Sequence, residues 1–168
     1  MNMSKLVPIA GWLLIMVLPL AHAADVNITI NGKVVAKPCT VSTVSTTVEL
    51  GDLYTFNLLA AGATSPWHSV TLNLTNCPVG TSKVTATFSG TADSTRNYYA
   101  NQGAARNIAL QLADSNGGNL PNGSTKVVAV NDASLAASLV LQVRAITPSG
   151  NVTQGSIQSL INVTYTYS

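Results

Sequence analysis

Residues 24–37 read A-D-V-N-I-T-I-N-G-K-V-V-A-K, and this stretch decides the class of fold. Val26, Ile28 and Ile30 alternate with Asn27, Thr29 and Asn31, and Gly32 and Val34 continue the same face. Strict alternation marks a β-strand, because successive side chains point to opposite faces. No turn signal folds the stretch back on itself as a hairpin. It is an extended arm with one apolar and one polar edge, placed just ahead of the first cysteine. Such a strand either folds back on its own domain or pairs with another molecule.

Upstream of the arm, residues 1–5 carry one positive charge, residues 6–20 are mostly apolar, and Ala21-His22-Ala23 is a small-x-small site. That is the pattern of a secretory signal peptide, with cleavage expected after Ala23. The apolar run is short for a membrane-spanning helix. The expected organisation is a signal segment over residues 1–23, the arm over 24–37 and one domain over 38–168. Eight Lys and Arg face six Asp and Glu, and setting Lys5 aside with the signal segment leaves the two signs nearly balanced. This gives no electrostatic footprint for nucleic acid or an anionic membrane.

Downstream, Thr and Val favour strands and Asn, Ser and Gly favour turns. The cysteines are Cys39 and Cys77. An even count in an exported chain is expected to form a disulfide. Two free thiols or half a metal site is the weaker alternative, since His68 is the one histidine beyond the signal segment and the set closes no zinc site.

Residues 40–50 suggest one strand that switches face or bulges, and residues 53–63 read as irregular. Alternation at Val70, Leu72 and Leu74 predicts a strand over residues 69–77, and Val84, Ala86 and Phe88 predict the next. Residues 90–106 read as a long polar loop holding Tyr98 and Tyr99. Ile108, Leu110 and Leu112 alternate, residues 114–123 are dense in Asn and Gly, and residues 126–130 form a short β-branched strand. Leu139, Leu141, Val143 and Ala145 face one way, opposite Gln142 and Arg144. An alanine-rich stretch, residues 133–137, suggests one helical turn. Ile157, Ile161, Val163, Tyr165 and Tyr167 share the odd face of a last strand, with Leu160 the exception. About seven short strands with regular turn signals predict an all-β, immunoglobulin-like sandwich. The sequence stops at Ser168 directly after that amphipathic strand, so the strand is expected to have an open neighbour position, a hazard that proteins normally block.

Taken together, the arm, the K-P-C-T-V that follows it, the T-N-C-P-V-G around Cys77 and the ending Q-G-S-I-Q…V-T-Y-T-Y-S resemble the pilin subunits of the chaperone–usher pathway. Among these they are most similar to the minor tip subunits of type 1 fimbriae. The resemblance implies a sandwich lacking its last strand, which leaves an apolar groove. It implies that a periplasmic chaperone fills that groove first and that the arm of the next subunit then replaces it, with an outer-membrane usher as a further partner. It implies a donor face of Val26, Ile28, Ile30, Gly32 and Val34, where Gly32 meets a pocket too shallow for a side chain. A flexible joint is the other reading of that glycine. It implies an acceptor groove drawing on Gly155, Ile157, Ile161, Val163, Tyr165 and Tyr167 and on strands such as residues 139–145, with the chaperone anchoring the carboxylate of Ser168. Ordinary core packing is the second reading of the two tyrosines.

The neighbours implied are other pilins, the tip adhesin among them, in a fimbria on the bacterial surface. No cofactor, metal or small-molecule substrate is expected, and no catalytic residues. His68 is the sole candidate base for a serine triad, Glu49 is the sole glutamate, and no glycine-rich phosphate loop opens a helix. The Asn-x-Ser/Thr triplets at Asn27, Asn73, Asn122, Asn151 and Asn162 are what an Asn- and Thr-rich chain produces by chance. The alternatives are the major rod subunit, which shares the mechanism, and a sugar-binding adhesin, which by the resemblance carries an extra lectin domain and lacks the arm.

Overall fold

The computed structural model describes residues 29–34 and 37–168. The chain divides into two units, Met1–Lys33 and Val34–Ser168, and the fold described here is that of the second. The expected signal segment and the arm residues Val26 and Ile28 lie outside the described residues.

Among the described residues eight strands follow in chain order: β1 (Thr40–Val41), β2 (His68–Thr75), β3 (Lys83–Gly90), β4 (Tyr99–Ala100), β5 (Ala109–Asp114), β6 (Thr125–Ala129), β7 (Ala137–Ile146) and β8 (Ile161–Tyr167). They form a five-stranded sheet in the order β1-β2-β7-β5-β4 and a three-stranded sheet in the order β6-β3-β8. Every pairing is antiparallel. The two sheets enclose a core of Leu72, Phe88, Leu110, Leu112, Leu139 and Leu141 with their neighbours. This is the expected immunoglobulin-like sandwich. Its alternating strands each send one face inward, as a two-layer β fold requires.

A second, smaller cluster lies at one end, where Cys39 and Cys77 form a disulfide among Leu74, Val84, Val130 and Ala137. We call this the disulfide end. At the other end the 54–62 loop is tied to the exit of β7, since Gly62 N–H donates to Thr147 O at 2.7 Å and Asn151 N–H donates to Leu59 O at 3.1 Å. Gly150 makes this contact possible: its φ is +75°, and a Cβ there would collide with Leu59 O.

Several expectations need correction. Residues 40–50 are not one strand; pairing with β2 covers Thr40 and Val41, and one further backbone bond runs from Ser42 N–H to Asn73 O. The spacing of Val41, Val44, Val48 and Leu50 keeps no constant period, so no single edge accommodates it. Tyr99 is not a loop residue but part of β4, fully buried, with its hydroxyl donating to Leu120 O at 3.0 Å. That burial pushes its phenol up to about 12. Strand β5 is buried along its whole length, because it sits between β7 and β4 and its outer Gln111 is covered through Arg144 Nε and Asn119 Oδ1. Ala137 opens β7 instead of closing a helical turn; Asn131 Oδ1 accepts from Ala133 and Ser134 N–H and turns the chain there. His68 starts β2, and Ile157 precedes β8 in irregular chain.

The β6 edge of the small sheet is tied to the facing sheet by Lys126 Nζ, which donates to Asp114 Oδ2 at 2.6 Å. That hydrogen bond, then the N–H of Gly118, holds the Asp114 carboxyl below its usual range; burial opposes them and the Asn116 N–H assists. A depressed carboxylate contributes stability above its unfolded pKa and loses it as pH falls through the folded value. Asp114→Asn should therefore cost about 1–3 kcal/mol at neutral pH, and the gap to the parent should close as pH falls below the folded pKa. Urea unfolding at several pH values measures it.

Candidate functional site

The edge of the small sheet opposite β6 is β8, and it pairs with β3 alone. Ser168 and Lys83 exchange both backbone hydrogen bonds, at 3.1 and 2.9 Å. Opposed residues of an antiparallel pair alternate between bonded and non-bonded. With Thr166 opposite Thr85, Thr164 opposite Thr87 and Asn162 opposite Ser89, the even residues of β8 turn their N–H and C=O groups to β3. The odd residues Ile161, Val163, Tyr165 and Tyr167 turn theirs the other way, and among the described residues these groups have no backbone partner.

Beyond that free edge lies a groove of about 880 Å³. One wall is residues 155–161 with Val163, and the other is residues 46–54. Its floor is the inner face of both sheets, with Val70 and Leu72 of β2, Phe88 of β3, Leu110 and Leu112 of β5, and Leu141 and Val143 of β7. Val70, Val143, Ile157, Ile161, Val163, Leu50 and Leu53 are all half-buried and packed on the main core. The groove is thus a seam where the core reaches solvent, bordered by a row of unsatisfied main-chain groups. It can add an extended strand whose alternate apolar side chains fill the seam while its backbone bonds to β8.

Of the residues singled out from sequence, Gly155, Ile157, Ile161 and Val163 line this groove. Tyr165 and Tyr167 lie past its lining and pack on the disulfide-end cluster, with Tyr165 bridging to the main core. Burial raises both phenols, and Tyr167 adds to the shift of Tyr165, so both stay neutral donors. Ser168 O accepts from Ser82 N–H and Lys83 N–H, each at 2.9 Å, and from Ser82 Oγ at 3.2 Å. Ile30 and Val34 are 89% and 101% exposed, and a Cβ at Gly32 would meet nothing within 4 Å. Sequence reasoning missed the 46–54 wall, whose signal is limited to Val48, Leu50 and Leu53. Among the described residues no group of His, Cys, Asp or Glu is arranged to hold a metal.

An antiparallel sandwich whose β8 edge stands open over an exposed apolar seam has room for one more strand. A family model described as "Fimbrial protein" matches residues 28–168, and the chain belongs to that family. It is a subunit of a fimbria, an extracellular structure. Protein FimG of Escherichia coli strain K12 is 61% identical over 162 residues, covering 94% of this chain and 96% of that protein. The S-fimbrial adhesin protein SfaS of Escherichia coli strain 536 is 42% identical over 149 residues, covering 88% of each. The crystal structure of the P pilus rod subunit PapA superposes with a TM-score of 0.68 at 19% identity, covering 79% of this chain and all of that one, which shows the shared fold.

Proposed function

We propose that the chain joins two neighbours in series within a fimbria. Its arm, residues 24–37, fills the groove of a preceding subunit through Val26, Ile28, Ile30, Gly32 and Val34. Its own groove, with Ile157, Ile161 and Val163 at the free edge, receives the arm of the following subunit. Strand addition of this kind is the known mode of pilin assembly. Before that exchange a periplasmic chaperone covers the groove and holds the Tyr165–Ser168 end, and the outer-membrane usher is where the exchange takes place. Residues 1–23 direct export and are removed. The likeness to FimG supports a minor, adaptor position between the tip adhesin and the subunits that follow.

The observation that carries this is the free edge of β8 over an apolar groove. Gly32 adds support: its surroundings are open and its φ is not positive, so nothing among the described residues calls for glycine there. A close-fitting partner would. The tested prediction is thermal. A synthetic peptide of residues 24–37, at a hundredfold excess over its Kd, should stabilise an accepting subunit by about 2.7 kcal/mol, raising the midpoint by roughly 10 °C. An unchanged midpoint with this chain and with every fimbrial subunit tried would overturn donation. The name of SfaS, an adhesin, supports a second reading, an adhesin role for this same domain, with sugars as the ligand class to try. Glycan-array binding by the isolated subunit tests that.

A further inference from the structure

The chain has two phenylalanines, and they are treated in opposite ways. Phe88 is fully buried in the core, whereas Phe56 is 66% exposed. Phe56 stacks on Tyr54, itself 60% exposed, with ring centroids 5.4 Å apart and planes 22° from parallel. Leu59 and Leu160, 57% and 64% exposed, lie on the same loops at the end away from the disulfide. Tyr54 and Leu160 line the groove, so this apolar surface continues from the groove's mouth. The loop that carries it is held in place by the Gly62–Thr147 and Asn151–Leu59 hydrogen bonds. An aromatic pair on a fixed loop, stacked on itself in water, is the composition of an interface centre and not of ordinary surface.

What covers it follows from polarity. The arm leaves the domain at Lys37 and Pro38, directly before Cys39 at the disulfide end. Both existing pairings in the small sheet are antiparallel. An arm added beside β8 in the same sense ends, at its root, near the start of β8, which is the end carrying Phe56. The donor's disulfide end therefore abuts the acceptor's Phe56 end. At the disulfide end the turn after Cys77 presents Val79, 89% exposed between Pro78 and Gly80. We infer that Phe56 and Leu59 form a body-to-body contact with the Pro78–Val79 turn of a second copy of this chain when that copy's arm occupies the groove. This rests on the strand-accepting role proposed above and adds to it a second recognition surface, which sets the angle between consecutive domains and discriminates among neighbours with similar arms.

The test compares a labelled peptide of residues 24–37 with a labelled second copy of the whole chain as donors to the unlabelled chain, reading dissociation rates. The whole copy should leave about tenfold more slowly than the peptide, the factor that losing one interface anchor typically gives. In an acceptor carrying Phe56→Ser and Leu59→Ser, neither of which lines the groove, the whole copy should leave as fast as the peptide. The peptide's own rate should not change, which also reports that the variant is folded. Val79→Ser in the donor should produce the same loss from the other side. Equal rates for peptide and whole copy in the parent, or equal losses for both in the variant, overturn the contact. A peptide that never binds this chain overturns the contact, and the thermal test on other fimbrial subunits then decides the arm-in-groove reading separately.

Discussion

Deleting residues 24–37 should leave a domain that accepts a strand and donates none. Burying Val26, Ile28, Ile30 and Val34 in a neighbour's groove is worth on the order of 6–12 kcal/mol as an upper range, and each backbone bond adds roughly 1 kcal/mol net. Removing even the lower figure changes a binding constant by about four orders of magnitude, so donation should vanish in a mixing assay read by native gel. Acceptance should survive, because the groove is built from residues 46–54, 155–163 and the inner sheet faces. Val163→Asp makes the reciprocal case. It places a carboxylate among Phe88, Leu141 and Ile161 at the free edge, and burying that charge under an incoming strand costs several kcal/mol. This variant should donate its arm normally and accept none. If the truncated chain still adds to another subunit, or if Val163→Asp still accepts an arm, donor and acceptor have been assigned to the wrong surfaces.

Those two surfaces were legible in the sequence to different degrees, for physical reasons. Strands β2 and β8 stood out because their apolar residues keep period two against polar neighbours, as Val70, Leu72 and Leu74 do and as Ile161, Val163 and Tyr165 do. Strand β5 was found but its burial was not, since Gln111 is covered by partners from β7 and the 114–120 turn that no local pattern announces. Tyr99 lies in a polar stretch, and its burial in β4 with its hydroxyl donating to Leu120 O depends on chain some twenty positions away. The groove was legible on one side only. Ile161 and Val163 carry a strand signal, but the facing wall is irregular chain brought there from more than a hundred positions earlier. Which β8 residues turn their backbone outward depended on the Ser168–Lys83 register, and register is a property of the pair rather than of either strand.

Replacing Cys39 and Cys77 together by serine should lower stability far more than it alters strand acceptance. The cross-link closes a segment of sequence separation 38. The chain-entropy estimate for a loop of that size is about 4 kcal/mol, and removal of such a bond from an exported domain typically costs 2–5 kcal/mol. Packing works in the same direction: both cysteines are buried in the small cluster with Leu74, Val84 and Val130, where a hydroxyl is a poorer fit than a sulfur. β1 is held to β2 by the Thr40–Thr75 and Val41–Leu74 pairs and the Ser42 N–H to Asn73 O bond that follows them, so without the disulfide the root of the arm hangs on a very short edge strand. A fall in the thermal midpoint of more than about 10 °C is expected. The groove, however, opens onto the main cluster, whose members Phe88, Leu110, Leu112 and Leu141 do not depend on the cysteines for their neighbours. Below its own midpoint the double-serine variant should bind an accepted arm peptide with close to the parent's affinity. An unchanged midpoint would show that the cluster alone holds the disulfide end. Lost peptide binding in a still-folded variant would show that the two clusters are one cooperative unit, with the groove's shape set from the far end of the sandwich.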